Sequence, residues 1–416
     1  MLELGAKEWS SAHLLLNVIL IVGSALPVHS SPRYAVLHSF GSGQDGAVPL
    51  SSLTFDSDTN LYGTTLNGGT NRAGVAYELM PSFGSSWNEV VLHDFEYSVE
   101  GDGFSTLVPD AEGNLYGSGL GGPNGTATVF ELSPVGNGWS SNVLYNMGGG
   151  NLVLDPAGNL YGPIGPGEYK FGAIAELSPE GPNDWAYTVL YSFCPHPPQC
   201  SDGNLPSAAS LFLDSFGNLF GTTLYGGNKK LCTADQGGCG VTFQLSPNRD
   251  GTWTHRLVHA FAAFSGDGQS PSGTLVVDHS GSIFGTTALG GPNSEGMVYR
   301  MTASTLGRSW VESTIYGFPD CSQGCQPATG LVADHAGNLY GAAGGGNYSC
   351  GGFACGVVYR LTPQRNGTWK YTILHKFNGS DGESPNGVTV GPDGTIYGTT
   401  QYGGQYNLGV AFQITP

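Results

Sequence analysis

The chain has 416 residues, of which 68 are Gly and 25 are Pro, and its formal net charge is −18 with only 14 Lys and Arg. Nucleic acids and anionic membrane surfaces are bound by clustered basic side chains, so neither is an expected partner. Charged residues and aromatic residues each make up 11% of the chain, which excludes a disordered protein, and the closely spaced turn residues favour short strands.

Residues 1–30 are predicted to be an export signal. The apolar run at 12–26 is too short and too interrupted for a comfortable membrane span, and residues 28–30 fit a cleavage site. Lys7 is flanked by acidic residues, which is atypical, so an uncleaved N-terminal anchor is the alternative. We expect a mature chain without a membrane span that is secreted, periplasmic or on the cell surface.

A six-residue phrase then recurs seven times. Each copy is preceded by an apolar run and a turn, and is followed by a Gly-rich loop, a third run and a fourth run that mostly begins with Trp. Each run has the length of a strand, and a single four-stranded sheet cannot bury both faces. Residues 31–416 are therefore predicted to form one all-β domain, a seven-bladed β-propeller with four strands per blade. The copies are NLYGTT (60), NLYGSG (114), NLYGPI (159), NLFGTT (218), SIFGTT (282), NLYGAA (338) and TIYGTT (395).

The fourth run carries alternating aromatic residues. In WKYTILHKF (369–377), alternation places Trp369, Tyr371, Ile373, His375 and Phe377 on one face, which we expect to pack between blades. The position of His375 is exchanged for Tyr in other units, which favours packing over metal binding. The equivalent residues are His38, His93, Tyr145, Tyr191, His259 and Tyr316.

The seventh unit stops after its third run, at residues 409–416. The missing run is found at the other end of the chain, where RYAVLHSF (33–40) matches the tail of WKYTILHKF. We therefore predict that the N-terminal strand completes the last blade and closes the ring without a free edge.

An Asp precedes the turn in six of the seven units, and each repeated phrase contains a Gly. The Asp is expected to cap the hairpin turn by accepting hydrogen bonds from backbone N–H groups, and the Gly to lie where a neighbouring aromatic leaves no space for a Cβ. A calcium site is the alternative for the Asp, but one carboxylate per turn supplies too few ligands. These residues are Asp56, Asp110, Asp155, Asp214, Asp278 and Asp334.

Eight cysteines fall in four close pairs, which is typical of disulfides in an exported protein. Zinc is disfavoured because CxxC spacing is absent. Local pairing is the simplest arrangement, and cross-linking between the two loops of a blade stays open. The pairs are Cys194/Cys200, Cys232/Cys239, Cys321/Cys325 and Cys350/Cys355.

A second repeated element, an Asp-Gly loop, precedes the first strand in five of the seven blades. These loops and the Gly-Gly loops open onto the same face, so their carboxylates are predicted to ring the central opening and to bind sugar hydroxyls or a cation. Asp-Gly is also good turn chemistry, which is the alternative explanation. The residues are Asp45, Asp102, Asp202, Asp267 and Asp381.

Tyrosines beside the Gly-Gly motifs are further candidates for ligand contact, because exposed Tyr faces stack on sugar rings and also serve protein interfaces. The alternative is that these Tyr side chains are simply exposed on the surface and bind no ligand. They are Tyr225, Tyr348, Tyr402 and Tyr406.

No catalytic motif is present, so no catalytic or metal-binding residue and no cofactor are predicted, with calcium at the Asp-Gly loops left open. We expect a monomeric, non-catalytic binding module for a polysaccharide or a surface protein. A polysaccharide lyase or glycoside hydrolase at the propeller mouth is the alternative, with weak paired-carboxylate candidates at Glu100/Asp102 and Asp381/Glu383. A structural spacer is the third possibility.

The tandem phrase D-x-x-G-N-L-Y-G-T-T, followed by Gly-Gly and G-V-x-(Y/F)-x-L-(S/T)-P, resembles the GloVer repeat proteins, the choice-of-anchor tandem-repeat family of bacteria. The resemblance covers residues 33–416 and implies an exported propeller, but it supplies no activity and no catalytic residues. The chain departs from the family in showing no sorting tail after the last blade, which leaves free secretion or an N-terminal anchor. The phrase is also similar to those of streptogramin-lyase-like and NHL-repeat propellers, and a shared fold does not transfer function.

Overall fold

The computed structural model describes residues 31–416 apart from 42, 83–85, 182–183, 207–210, 228–231, 233–236, 263–265, 305–308, 347–349 and 351–353. The export-signal prediction for residues 1–30 therefore lies outside the described residues. Pro32–Pro416 form one compact unit. In the part of the chain that the structure describes, no helix has the length and apolarity needed to cross a membrane.

Seven small antiparallel sheets form the ring of a seven-bladed β-propeller, which confirms the predicted fold. Blades 1 to 3 are built from β2 (Ala47–Pro49), β3 (Thr54–Phe55), β4 (Leu61–Asn67), β5 (Val75–Pro81) and β6 (Trp87–Asp94); β7 (Asp102–Gly103), β8 (Val108–Pro109), β9 (Leu115–Leu120), β10 (Thr128–Val135) and β11 (Gly138–Asn146); and β12 (Val153–Leu154), β13 (Leu160–Gly162), β14 (Ala173–Gly181) and β15 (Asp184–Ser192).

The other four blades follow the same order, and short 3₁₀ turns lie at Pro123–Gly125 and Cys321–Gln323. Blades 4 to 7 comprise β16 (Asn204–Pro206), β17 (Phe212–Leu213), β18 (Leu219–Tyr225), β19 (Val241–Pro247) and β20 (Trp253–Ala260); β21 (Gly268–Val277), β22 (Ile283–Gly290), β23 (Met297–Ala303) and β24 (Trp310–Gly317); β25 (Leu331–Ala333), β26 (Leu339–Ala343), β27 (Val357–Pro363) and β28 (Trp369–Lys376); and β29 (Glu383–Val390), β30 (Ile396–Tyr402), β31 (Val410–Thr415) and β1 (Arg33–Ser39).

The ring closes as predicted. Strand β1 pairs antiparallel with β31, from Arg33 opposite Thr415 to Ser39 opposite Val410. The first strand of the described chain is therefore the outer strand of the last blade, and its loss would leave β31 as a free edge.

The fourth strand of every blade contains a β-bulge, which changes the face that its last residues occupy. In β28, Ile373 pairs with Tyr359 and His375 pairs with the adjacent Val358, so Leu374 is the extra residue. The residues before and after the bulge therefore point to opposite sides of the sheet.

The two halves of this strand consequently pack against different neighbours. Tyr371 stacks on Tyr316 of blade 5, with ring centroids 4.2 Å apart, whereas His375 stacks on Tyr34 of blade 7 at 3.9 Å. The prediction of one continuous aromatic face along 369–377 is wrong, because one extra residue reverses the alternation.

The repeated phrase forms the predicted capped turn. Asp56 Oδ1 accepts hydrogen bonds from the backbone N–H groups of Asp58 and Asn60, at 2.8 and 2.9 Å. Its Oδ2 accepts from Asn60 Nδ2 and from the Tyr62 hydroxyl. The equivalent Oδ1 bonds recur at Asp110, Asp155, Asp214, Asp278 and Asp334.

The Gly of the phrase lies where an aromatic side chain leaves no space, as predicted. A Cβ on Gly63 would stand 2.4 Å from the hydroxyl oxygen of Tyr77. In blade 3, Gly162 instead faces Leu152, because Ala175 occupies the position of the aromatic. Aromatic contacts of the same kind are made at Gly117, Gly221, Gly285, Gly341 and Gly398.

Candidate functional site

The strand order gives the propeller two different faces. The connections from second to third strand and from fourth strand to the next blade open onto one of them, here called the loop face. The Asp-capped turns between first and second strands lie on the other, here called the turn face. The predicted Asp-Gly loops belong to connections of the loop face, and the described Tyr residues Tyr225, Tyr402 and Tyr406 lie at or beside its second-to-third-strand connections.

Four of the five predicted Asp-Gly carboxylates hold the backbone of their own loops. Each accepts a hydrogen bond from an N–H group in the segment that leaves the preceding fourth strand. The bonds join Gly41 N to Asp45 Oδ2 (2.8 Å), Cys194 N to Asp202 Oδ2 (3.1 Å), Ala262 N to Asp267 Oδ2 (3.0 Å) and Asn378 N to Asp381 Oδ1 (2.9 Å).

The same four carboxylates also contact the His or Tyr that follows the β-bulge in the preceding fourth strand. The Tyr191 hydroxyl donates to Asp202 at 2.8 Å, and the other three carboxylates pair with histidine. The Nε2 to Oδ2 distances are 3.4 Å for His38–Asp45, 3.0 Å for His259–Asp267 and 3.0 Å for His375–Asp381. These half-buried pairs lie at blade junctions, so most of the acceptor capacity of the carboxylates is used inside the protein.

Blade 2 departs from the predicted pattern. Asp102 does not pair with a histidine there, and instead accepts from the backbone N–H of Leu120 at 3.1 Å. Glu100 takes the pairing role, since its carboxylate lies 3.2 Å from His93 Nε2 and accepts from Glu96 N. Burial alone would raise the pKa of Glu100, but hydrogen bonds from His93 and Ser141 lower it below its ordinary value.

The central channel is lined by neutral polar groups, with a cavity of 260 Å³, and none of the five aspartates is among its lining residues. These aspartates do not line this cavity, and their placement around the mouth of the channel stays a prediction. The innermost segments of the adjoining blades 7 and 1 pack closely here, and a Cβ on Gly387 would stand 2.0 Å from Ser52 Oγ. The polar lining comprises Ser51, Ser52, Thr106, Asn151, Ser272, Thr329 and Asn386.

Two of the His–Asp pairs face a second carboxylate from the next blade. Glu89 lies against Asp45 at the junction of blades 7 and 1, and burial together with the Asp45 charge raises its pKa to about 7. Glu312 lies against Asp267 in the same way, with its pKa raised by burial and by that charge. Neither Glu89 Oε1 nor Glu312 Oε1 has a hydrogen-bond partner among the described residues.

Replacing Glu89 with Gln is expected to change how stability depends on pH. The folded chain keeps this proton up to about pH 7, whereas the unfolded chain loses it near its ordinary pKa of 4.5. The wild type is therefore favoured below pH 4.5 and loses that contribution as the pH rises to 7 and beyond. At pH 8 the Gln variant should be more stable by about 1 kcal/mol, allowing for solvent screening.

Urea denaturation between pH 4.5 and 8 measures this effect. The loss of stability with rising pH should be shallower for Glu89→Gln than for the wild type. The matched control is Glu112→Gln, an exposed turn residue. Parallel pH profiles for Glu89→Gln and the wild type would contradict the assignment of a protonated Glu89.

A groove of 710 Å³ opens on the loop face between blades 2 and 3. Tyr145 and Tyr187 stack across the junction, with ring centroids 4.3 Å apart. Tyr191 lines the same groove, and the half-buried Tyr169 stands beside the exposed carboxylate of Glu168 in the connection between β13 and β14. The ring of Tyr191 turns to the other side of the sheet, where it stacks on His255 of blade 4 at 4.3 Å. Three aromatic rings, those of Tyr145, Tyr169 and Tyr187, and the exposed Glu168 carboxylate therefore border a single open cavity.

Two exposed apolar side chains complete this groove. Met147 is 44% exposed and Val189 is 43% exposed. The sequence predicts Tyr145 and Tyr191 as packing residues, and no repeated pattern indicates Tyr169 as a binding residue. Two sequence features mark the groove. Tyr replaces His in the fourth strands of blades 2 and 3, and the connection between β13 and β14 contains the Glu168-Tyr169 pair.

The three described Tyr residues predicted from the Gly-Gly loops do not share one patch. Tyr225 ends β18 in blade 4 and is half-buried. Tyr402 ends β30 in blade 7 and is 40% exposed, and Tyr406 follows it at 53% exposure, near Gly41 of the Asp45 loop. Tyr348 lies outside the described residues.

The four predicted cysteine pairs are all local disulfides: Cys194–Cys200, Cys232–Cys239, Cys321–Cys325 and Cys350–Cys355. Four disulfides indicate an extracytoplasmic protein. Glu295 approaches the sulfur atoms of Cys321 and Cys325, a grouping of the kind that can hold a metal, but both sulfurs are in a disulfide and are not thiolates.

The sequence matches the Gloeobacter/Verrucomicrobia repeat over residues 148–353 and 231–416, which together span residues 148–416. No curated protein matches the chain. Among solved structures, PorZ, a surface component of the type-IX secretion system of Porphyromonas gingivalis, is 15% identical, with a TM-score of 0.51 over 91% of this chain and 48% of its own.

Two enzymes are similar at lower TM-scores. A luciferin-regenerating enzyme is 12% identical with a TM-score of 0.46, over 93% of this chain and 96% of its own. The Trypanosoma rangeli sialidase is 12% identical with a TM-score of 0.44, over 92% of this chain and 59% of its own. At these identities the PorZ likeness shows the fold alone.

Proposed function

This chain belongs to the Gloeobacter/Verrucomicrobia repeat family, and we propose that it is an exported, non-catalytic binding module that holds a polysaccharide in the groove between blades 2 and 3. The observation that carries the proposal is the convergence of three Tyr rings, those of Tyr145, Tyr169 and Tyr187, and the Glu168 carboxylate on one open cavity. Aromatic faces pack on the C–H faces of sugars, and a carboxylate accepts hydrogen bonds from sugar hydroxyls.

The groove between blades 2 and 3 offers this chemistry more clearly than the Asp-Gly loops of the same face do. Four of the Asp-Gly carboxylates are bonded to their own loops and to His or Tyr, whereas Glu168 is exposed. A cavity of 710 Å³ lies within the range of small-molecule sites and has room for more than one sugar ring. A polysaccharide is favoured over a surface protein because the groove is concave rather than a flat apolar patch.

Tyr169→Ala and Glu168→Gln test the proposal in a glycan-array screen followed by calorimetry on the best ligand. We expect Tyr169→Ala to weaken binding about tenfold, since stacking and buried area are lost together. Phe216→Ala is the control, because this side chain is 85% exposed and lies on the turn face. Runs with calcium and with chelator decide whether a cation takes part.

Three results would contradict the proposal. Unchanged affinity of Tyr169→Ala would place the ligand elsewhere. Cleavage of the bound glycan during the incubation would make the protein a lyase or hydrolase. Absence of binding across the array would remove polysaccharide as the ligand and favour a surface protein.

A further inference from the structure

The turn Asp of a complete repeat has both carboxylate oxygens occupied. In blade 6, Asp334 Oδ2 accepts from Asn338 Nδ2 at 2.7 Å and from the Tyr340 hydroxyl at 2.9 Å. Blades 1, 2 and 3 repeat this arrangement at Asp56, Asp110 and Asp155. The Asn and the Tyr of the NLYG phrase are therefore the residues that fill Oδ2.

Blade 5 lacks both of these donors. Its phrase reads SIFGTT, so Ser282 replaces the Asn and Phe284 replaces the Tyr. Asp278 Oδ1 still caps the turn, accepting from Ser280 N and Ser282 N. Its Oδ2 has no hydrogen bond from another described residue, and the nearest charged group is Arg300 Nη2 at 3.9 Å.

Arg300 is a further difference of blade 5 from blades 1 to 3, and blade 6 has Arg360 at the same position. Blades 1 to 3 have Glu at this position of the third strand, facing the Tyr hydroxyl. Arg300 instead lies over the Phe284 ring at 5.5 Å, and one of its nitrogens, Nη2, donates to Ser282 Oγ at 2.8 Å. Its Nε is buried without a partner among the described residues. Blade 5 thus has a carboxylate oxygen that no described residue fills, with the Arg300 guanidinium beside it.

These groups line a cavity of 350 Å³ between blades 5 and 6 on the turn face. Trp369 of blade 6 forms one wall, meeting Phe284 edge-on at 5.8 Å, and His279 and His335 stand at the rim. The corresponding cleft between blades 3 and 4 shows the intact version, in which Tyr161 donates to Asp155.

We propose that this cleft, here called the blade 5/6 cleft, binds one neutral sugar ring through a vicinal diol. One hydroxyl donates to Asp278 Oδ2, the neighbouring hydroxyl accepts from Arg300, and the C–H face of the ring packs on Trp369. A hydroxyl both donates and accepts, so a diol can form hydrogen bonds with both side chains at once.

A neutral ligand fits better than an anionic one. Asp278 and Asp334 both border the cleft against one Arg, and the whole chain carries −18. The cavity is of the size that holds a small ligand. The site lies on the turn face, so it is independent of the groove between blades 2 and 3.

The probes are D-glucose, D-galactose, D-mannose, L-rhamnose and sodium D-glucuronate, tested on residues 31–416 by saturation-transfer NMR and calorimetry. We expect at least one neutral sugar to bind, and Asp278→Asn to weaken it about tenfold or more, because Asn keeps the Oδ1 cap and removes the charged acceptor. Asp155→Asn in the cleft between blades 3 and 4 is the matched control and should leave binding unchanged.

The double variant Ser282→Asn/Phe284→Tyr provides a second test that removes no charge. It rebuilds the complete phrase, so the new Asn and Tyr should fill Asp278 Oδ2 and abolish sugar binding while the melting temperature stays equal or rises. Retained binding in this variant would overturn the proposal. Failure of every neutral sugar to bind the wild type would do the same, as would tighter binding of glucuronate than of glucose.

Discussion

A chain that begins at residue 41 is expected to lose most of its folding stability relative to one that begins at residue 31. Strand β1 supplies the outer strand of blade 7 through its pairing with β31, and Tyr34 stacks on His375 of blade 6. Phe40 is fully buried against Tyr77 of blade 1, with ring centroids 5.1 Å apart. Loss of a buried Phe alone costs about 3–5 kcal/mol, against a total stability of about 5–15 kcal/mol for an ordinary domain.

Circular dichroism and calorimetric melting of the two chains measure this effect. We expect the melting temperature of the shorter chain to be lower by about 15 °C or more, based on about 2–4 °C per kcal/mol in somewhat smaller domains. Alternatively, the shorter chain is expected to be insoluble, because β31 becomes an exposed edge. Adding a synthetic peptide of residues 31–40 should restore part of the transition. Equal melting temperatures for the two chains would show that ring closure does not depend on β1.

Gly63→Ala is expected to destabilise the protein by about 3 kcal/mol. The new methyl group would stand 2.4 Å from the Tyr77 hydroxyl oxygen and 2.5 Å from its ring. Tyr77 is fully buried and contacts Phe40, so its ring has no room to move aside without disturbing the junction of blades 7 and 1. The cost should therefore exceed the usual preference of a strand for Ala over Gly.

Gly138→Ala is the matched control. This Gly opens β11, has no positive φ, and a Cβ there would meet no atom within 4 Å. Urea denaturation should show a lower midpoint for Gly63→Ala and an unchanged or higher midpoint for Gly138→Ala. The same change at both positions would mean that backbone entropy, rather than contact with Tyr77, explains the Gly of the repeated phrase.

Pairing of the turn Asp with its own backbone was predictable because all the atoms involved lie within four residues of each other. The turn Asp caps backbone N–H groups in six of the seven copies for the same local reason, as Asp56 does for Asp58 and Asn60. The local disulfides were also predictable, since each closes a loop of a few residues. The count of blades and the ring closure followed from repetition, because every unit needs a neighbour to cover its faces.

The location of the binding chemistry was not predictable in this way. Strict alternation along 369–377 ignored a bulge that depends on how β28 pairs with β27, so His375 was assigned to the wrong face. The repeated Asp-Gly sequence predicts Asp102 as the equivalent carboxylate of blade 2, although Glu100 is the residue that pairs with His93. The groove at Tyr145 and Tyr187 joins strands of two blades whose side chains meet only after folding.

The sequence alone determined the number of blades, the strand order, the closing strand, the capped turns and the cysteine pairs, because each depends on local hydrogen bonding or on the period of the repeat. Only the tertiary structure decided which carboxylates are already bonded and which are free. Asp381 and Asp278 look equally available in the sequence, yet a histidine pairs with the first, whereas no described residue donates a hydrogen bond to Oδ2 of the second. That difference depends on residues brought together across bulged strands and blade junctions.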